Sequence, residues 1–239
     1  MTSIKNAVVL VTGANGGLGQ EFVKQALERG AAKVYATART PRDWHDERVV
    51  ALRLDVTDEA SVTAAAAAAG DTTIVVNNAG IYTHGDTITG TSFAHIREIF
   101  ETNFFGAVLV NRAFAPILGA NGGGALLDVH SVLSWLGVAG AYSAAKAAFW
   151  SATNSFRVEL AGQHTQVVGL HLGYTDTPMI AMVDDDKNDP ADIVRAGYDG
   201  LENDEHEVLA DDRAVAVKAA LSGSIADLYA LPGVPPRTE

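Results

Sequence analysis

The stretch from Ala7 to about Arg29 constrains the fold more than any other. Ala7-Val8-Val9-Leu10-Val11 is an apolar, largely β-branched run, the pattern of a strand buried on both faces. Thr12-Gly13-Ala14-Asn15-Gly16-Gly17-Leu18-Gly19 follows at once as a glycine-dense turn. Beyond it, Leu18, Phe22, Val23, Ala26 and Leu27 recur at helical spacing, and Gly30 is placed to end the helix. Strand, glycine turn and helix together make a cradle for a pyrophosphate. Glycines let the chain turn tightly and let phosphate oxygens approach the main chain, while free N–H groups and the helix dipole favour the anion. The plainer reading is a tight strand-to-helix turn; the flanking strand and helix favour the phosphate.

The pattern then repeats. Further strands are read at 33–38, 49–54, 73–76, 125–130, 167–172 and, shorter, 207–210. Between them lie an Ala-rich helix at 64–69, capped by Thr57 or Asp58 and stopped by Gly70, and an apolar-striped helix, or two abutting ones, from Thr91 to about Leu118. Helices follow at 142–160, 190–201 and 211–221. Alternation of this kind predicts an α/β fold, a doubly wound parallel sheet with helices on both faces. No repeat, linker or composition break divides the chain, so 1–239 is read as one domain. Asn103 interrupts the stripe of Phe93, Ile96, Phe100, Phe104, Ala107 and Val110, either as a packing amide or as a site group around which the helix is distorted. The acidic, irregular region at about 178–212 is expected to form a flap over the substrate, with a solvated insertion as the alternative. The tail from Leu231 is expected to be loose.

Composition narrows the partners. A net charge of −12 with no Lys- and Arg-rich stretch argues against nucleic acid or an anionic membrane. It says little against a phosphorylated cofactor, whose site needs only local positive charge. The chain has no cysteine, which removes disulfides, thiolate metal sites and a cysteine nucleophile. His84 has no partner at metal-ligand spacing and is read as loop or pocket lining, so no metal is expected. The N-terminus lacks a signal-peptide pattern and no apolar run is read as approaching membrane-spanning length, so the expected location is the cytoplasm.

Ligands of such sheets gather at the C-terminal ends of the strands. Arg39 stands just past the second strand, where a dinucleotide-binding unit meets the adenosine ribose. An acid there would accept from a 2′-hydroxyl, but 31–40 holds none. Arg39 could instead pair with a 2′-phosphate, with Arg42 in reserve, or be a solvated surface arginine. Asp55 ends the third strand, placed for an adenine amino group or for a turn. Asn77-Asn78-Ala79-Gly80 ends the fourth, and Ser131 follows the fifth. Tyr142 and Lys146 are four apart and share a helix face. A tyrosine has an unperturbed pKa of roughly 10. A neighbouring ammonium lowers it, as would the positive ring of an oxidised nicotinamide. Such a tyrosine can give a proton to a ketone oxygen while hydride reaches carbon, with Ser131 donating a hydrogen bond to that oxygen. An accidental pair is the other reading, because the spacing is common by chance.

Taken in order, the Thr12–Gly19 turn, Asn77 to Gly80, Asn103, Ser131, Tyr142 with Lys146, and Thr177 resemble the short-chain dehydrogenase/reductase family over nearly the whole chain. The resemblance implies a Rossmann-type sheet of about seven strands and a catalytic tetrad. Tyr142 would be the acid/base, and Lys146 would lower its pKa and bind the nicotinamide ribose. Ser131 would position the carbonyl, and Asn103 would hold a water in the proton relay. It further implies cofactor binding by Gly13, Asn15, Gly17, Leu18, Gly19, Arg39, Asp55, Val56, Asn78, Ala79 and Gly80, with Thr177 at the carboxamide, and a homodimer or homotetramer paired through the helices of Asn103 and Tyr142. The chain departs from the family in its short Ser131–Tyr142 loop, in Leu172 where a proline is usual, and in Gly16 where NADP-dependent members often carry a basic residue. The absence of a glycine-rich ending argues against an acyl-carrier-protein substrate, as does the acidic surface. The expected activity is NADP(H)-dependent reduction of a hydrophobic ketone or aldehyde, in a pocket of Trp135, Leu136, Val138, Tyr82, Tyr174 and Met179. The alternatives are an NAD(H)-dependent alcohol, steroid or polyol dehydrogenase, or a nucleotide sensor without turnover.

Overall fold

The opening apolar run is β1 (Val8–Val11), and its alternating side chains serve two cores at once. Val9 and Val11 point to one face of the sheet and Leu10 to the other, all fully buried. Only a strand with helices on both sides can hide such a run. In the computed structural model of the protein, residues 2–230 are described; the tail from Leu231 lies outside them.

After β1 come α1 (Gly17–Glu28), β2 (Lys33–Ala38), β3 (Val49–Arg53), α2 (Glu59–Ala68), β4 (Ile74–Asn77) and α3 (Phe93–Phe100). A π-helical turn (Glu101–Gly106) joins α3 to α4 (Ala107–Ala120). There follow β5 (Gly124–Val129), α5 (Gly140–Glu159), β6 (Thr165–His171), α6 (Pro190–Glu202), β7 (Glu207–Leu209), α7 (Asp212–Ala220) and α8 (Ile225–Leu228). The seven strands form one sheet in the order β3-β2-β1-β4-β5-β6-β7, every pairing parallel. The order reverses between β1 and β4, with Val9 paired to Val34 on one side and Ile74 on the other. The crevice beyond that switch is where such a sheet takes a ligand. One core holds α1 and α6 against the sheet; the other holds α2, α4 and α5. This is the doubly wound fold expected from the alternation.

Of the two expected caps Asp58 is the one used, accepting from the Ala60 N–H at 3.0 Å, so α2 begins at Glu59 and runs on through the Ala-rich stretch. Two details differ from the sequence reading. The helix at 93–120 is long and apolar enough to cross a membrane by length and composition alone, contrary to the expectation that no run approaches that length. It is a core helix of the sheet: Ile99, Val110, Phe114 and Leu118 are fully buried, and Asn111 hydrogen-bonds to Asp128 of β5. The region expected as a flap divides in two. Its second half is fixed framework: Ile193, Val194, Tyr198 and Leu201 of α6 are in the core, and β7 is the edge strand. Arg29 of α1 pairs with both Asp199 and Glu202, at 2.7 and 2.8 Å. Only the part around the short Pro178–Ile180 turn borders the crevice.

The Tyr198 hydroxyl donates to the Phe22 carbonyl at 2.9 Å, and the two rings meet edge to face at 5.4 Å. Tyr198→Phe keeps the ring and removes one buried hydrogen bond, a loss of about 1 kcal/mol. Calorimetry should show Tm falling by about 2–4 °C. An unchanged Tm would mean that α6 does not share the core's cooperativity.

Candidate active site

The glycine turn is shaped by what a side chain would strike. Gly13 has a φ of +65°, and a Cβ there would lie 3.0 Å from the Ala79 Cα. A Cβ on Gly19 would lie 2.2 Å from the Gly13 carbonyl oxygen, so the first turn of α1 can close on β1 only without one. Thr12, fully buried, ties this turn to the end of β4: its hydroxyl accepts from the Asn78 and Ala79 N–H groups, each at 2.9 Å. Asn78 donates in return to the Thr12 carbonyl at 2.9 Å. The N-cap of α1 is Gly16, with no side chain to satisfy the helix's free N–H groups and no acid in the first turn.

A cleft of about 990 Å³ opens from this turn across the C-terminal ends of the strands. Gly13, Asn15, Gly17, Leu18, Arg39, Asp55, Val56, Asn78, Ala79, Gly80 and Thr177 all line it. Gly19 does not; its role is the close packing just described. The amide of Asn15 donates to the Thr40 carbonyl at 2.7 Å, and its Oδ1 is buried with no hydrogen-bond partner among the described residues. Arg39 is exposed at the cleft's edge and lowers the pKa of nearby Asp55, although the Thr57 N–H does so more strongly. Arg42 is no reserve for it: its guanidinium stacks over Trp44 at 4.0 Å. The cradle, the uncapped helix and the unpaired Asn15 oxygen fit the phosphates and ribose of a dinucleotide.

Ser131 and Tyr142 line the same cleft, further along. Ser131 stands where β5 gives way to a short 3₁₀ turn, which its hydroxyl caps by accepting from the Leu133 N–H at 3.2 Å. Tyr142 lies in the first turn of α5, against Tyr82, with ring centroids 5.0 Å apart. Lys146 lies one turn on, behind the wall: its ammonium donates to the Val129 carbonyl at 2.8 Å and sits 5.8 Å from the centre of the Tyr142 ring. Burial lowers the Lys146 pKa to about 8, opposed by the negative charge of Asp128. Burial also pushes the Tyr142 phenol above its ordinary value, and Tyr82 adds to this. The expected lowering by Lys146 is not seen within the chain itself: the phenol has lost water, and the ammonium is turned to the Val129 carbonyl.

Asn103 falls inside the π-helical turn, so the helix is indeed distorted around it. Its side chain is fully occupied. The amide donates to the Ile81 and Ile99 carbonyls at 2.9 and 3.0 Å, and its oxygen accepts from the Ile81 N–H at 3.1 Å. It clamps the loop after β4 and does not line the cleft, so its side chain has no donor left for a relay water.

Of the expected pocket residues, Tyr82, Leu136, Val138, Tyr174 and Met179 line the cleft. Trp135 does not: it stacks flat on His171 at 4.0 Å, beneath the wall. His84 packs near Tyr82 and does not line the cleft. Several lining residues escaped the sequence reading, two of them with chemistry to offer near the Ser131 end. Arg213 of α7 reaches the cleft beside Tyr174, and His130 lies at the foot of the wall, stacked on His171 at 4.9 Å. Nothing in the sequence around either residue signals this, since both depend on how β5, β6 and α7 come together.

A strand-ended cleft with a phosphate cradle at one end and a tyrosine–serine pair at the other defines a dinucleotide-dependent oxidoreductase. The model of the short chain dehydrogenase family matches residues 7–188. A cis-4-hydroxycyclohexanecarboxylate dehydrogenase from Sinomonas cyclohexanicum is 35% identical over 200 residues, 78% of each chain. The crystal structure of a short chain dehydrogenase from Burkholderia cenocepacia J2315 in complex with NADP superposes with a TM-score of 0.89 at 34% identity, covering 95% of this chain and 98% of that one. A 3-ketoacyl-(acyl-carrier-protein) reductase from Brucella melitensis, complexed with NADH, does so with a TM-score of 0.78 at 26% identity, over 83% and 92%. The chain belongs to the short-chain dehydrogenase family and is an oxidoreductase.

Proposed function

We propose that the protein interconverts a hydrophobic ketone or aldehyde and the corresponding alcohol with NADP(H), NAD(H) being the alternative cofactor. One observation carries this reading: Ser131 and Tyr142 line the same continuous cleft as the phosphate cradle, among Leu136, Val138, Tyr174 and Met179. The two relatives' complexes with NADP and NADH support a nicotinamide dinucleotide, and the ring-borne secondary alcohol in the Sinomonas enzyme's name, which also carries a carboxylate, supports a compact alicyclic substrate. Arg39 at the ribose end, with no acid between 31 and 40, supports the 2′-phosphate.

Gly13, Asn15, Gly17, Leu18 and Asn78 to Gly80 would hold the dinucleotide, with Asp55 and Val56 at adenine, Arg39 at the ribose phosphate and Thr177 at the nicotinamide end, where Lys146 stands behind the wall. Bound there, the cofactor supplies or accepts a hydride. The Ser131 hydroxyl donates to the carbonyl oxygen and orients it. Tyr142, kept protonated by its burial, gives that oxygen its proton as charge develops on it. The Lys146 ammonium then favours the phenolate left behind. The wall of Leu136, Val138 and Met179 excludes water from the reacting centre. The family's homodimer or homotetramer is part of this proposal, supported by Phe105 and Val158, which stand exposed on the π-helical turn and α5.

A panel of alicyclic and aromatic ketones, followed by NADPH absorbance, tests the reading. Turnover of none of them, with NADPH tightly bound, would favour the sensor. The pH profile is a second check. Lys146 is charged below its pKa of about 8 and loses that charge as pH rises through it, while Tyr142 keeps its proton throughout. Reduction kcat/KM should therefore be level through neutrality and fall above about pH 8. A rate still level at pH 10 would separate Lys146 from the chemistry.

A further inference from the structure

Behind the wall that carries Ser131 lies a carboxylate that the mechanism above does not use. Asp128 is the penultimate residue of β5 and is fully buried. Its hydrogen-bond partners come from two helices and are neutral. Asn111 of α4 donates to both of its oxygens at 3.1 and 3.2 Å, and the Thr153 hydroxyl of α5 donates at 2.7 Å. Asn77 of β4 supports Asn111 from behind, donating to its Oδ1 at 3.3 Å. The next carbonyl along β5, that of Val129, is the one that Lys146 holds. Thr153 and Lys146 are two turns apart on one face of α5, so the same helix face meets Asp128 with a hydroxyl and its neighbour with an ammonium.

We propose that Asp128 is a positioning residue for the reaction: its buried carboxylate is the counter-charge that keeps Lys146 an ammonium at the nicotinamide end of the cleft. This rests on the reading of Lys146 given above. Among the described residues, the surroundings of Lys146 offer no other anion that acts on it. Val129 supplies a carbonyl dipole, and Tyr142 and Phe149 supply ring faces, the second at 5.9 Å. His130, just past β5, and His171 of β6, stacked behind the wall, are held neutral chiefly by burial. Asp128 alone opposes the burial that strips Lys146 of its proton. The other cation facing Asp128 is Arg157 of α5, and it is tied down by the Val167 and His206 carbonyls at 3.1 and 2.7 Å.

Asp128 is also expensive to keep charged. Burial raises its pKa from 3.8 to about 6, against the pull of Thr153, Asn111 and Lys146. A carboxyl group with a raised folded-state pKa contributes stability below its unfolded pKa and loses that contribution as pH rises through the folded value. Between about pH 4 and pH 6 the protein therefore gives up stability to keep this charge, and above pH 6 it has given up the full amount. A neutral amide of the same shape would avoid that cost, but it keeps one acceptor oxygen in place of two, and its NH2 would face the donating amide of Asn111.

The test is Asp128→Asn. The chain's lysines are Lys5, Lys24, Lys33, Lys146, Lys187 and Lys218, few enough to follow one by one by NMR of lysine labelled at Cε, with Lys146 assigned through Lys146→Met. In Asp128→Asn the Lys146 midpoint should fall by about one pH unit or more. The alkaline limb of reduction kcat/KM should move with it. An unmoved Lys146 midpoint overturns the proposal, since Asp128 would then be framework alone. Should Asp128→Asn not fold, Asp128→Ser decides. It removes the charge without setting an NH2 against the Asn111 amide, so the Lys146 midpoint should fall in the same direction; no movement there overturns the proposal as well. The NMR readout needs no substrate, so failure to find a ketone that turns over counts against the proposed function and leaves the Asp128 result standing.

Discussion

Tyr142→Phe should lower kcat for ketone reduction by about a thousandfold while the variant binds NADPH as the wild type does. A positioned general acid contributes about 10²–10⁴-fold. The middle of that range applies here because the substitutes are poor: Ser131 is a hydrogen-bond donor with no tendency to ionise, Lys146 is behind the wall on the Val129 carbonyl, and the Tyr82 phenol, which lines the cleft against the Tyr142 ring, is held above its ordinary pKa by burial. A thousandfold loss corresponds to about 4 kcal/mol of transition-state stabilisation. The change is conservative for the fold. Phenylalanine keeps the ring that meets Tyr82 at 5.0 Å, and the first turn of α5 has no hydrogen bond through the phenol that would be lost to the framework. Single-turnover rates with preloaded NADPH separate chemistry from binding, and quenching of protein fluorescence by NADPH reads binding alone. Turnover within tenfold of wild type would remove Tyr142 as the proton donor and with it the proposed mechanism.

Much of this site could be read before any coordinates because its parts are local. The glycine turn, the Asn77–Gly80 strand end and the Tyr142–Lys146 pair are each defined within a few residues, and the fold carries them to one edge because parallel strands all end on the same side. Asn103 was legible for a related reason: an amide in an apolar helical stripe is a local conflict, and the chain resolves it by a π-helical turn. What was not legible depends on packing between distant segments. Trp135 reads as pocket lining from its loop, but it turns inward to stack on His171 of the neighbouring strand. The acidic region reads as a flap because Asp184, Asp185, Asp186 and Asp189 stand close together, yet Ile193, Val194, Tyr198 and Leu201 then lock α6 onto α1. Arg42 looks like a second phosphate ligand only until Trp44, two residues on, takes it. The direction of the Tyr142 pKa is the sharpest case. Helical spacing shows that the ammonium is near, but how much water the phenol loses is set by Tyr82, which arrives from the loop after β4.

Arg39→Glu should reverse the cofactor preference, lowering kcat/KM with NADPH by about a hundredfold and leaving that with NADH unchanged or improved. Arg39 is the first residue after β2, exposed on the cleft at the end where the ribose would lie. A hydrogen bond to a charged group contributes about 1.5–3 kcal/mol, and a carboxylate in its place adds repulsion of a phosphate dianion. Exposure tempers both terms, because salt and water screen them. About 3 kcal/mol in total, and so about a hundredfold, is the consistent expectation. The reversal should be clean because no second cation among the described residues is poised there: Arg42 is stacked on Trp44, and Gly16, where a basic side chain would help, has none. A glutamate can also accept from the 2′-hydroxyl of NADH, which arginine cannot. The same comparison at high ionic strength should shrink the wild-type preference for NADPH, while a preference built on shape would not respond. Should Arg39→Glu leave the ratio of the two kcat/KM values within threefold of wild type, the 2′-phosphate is not read by this residue, and the enzyme is better described as using NAD(H).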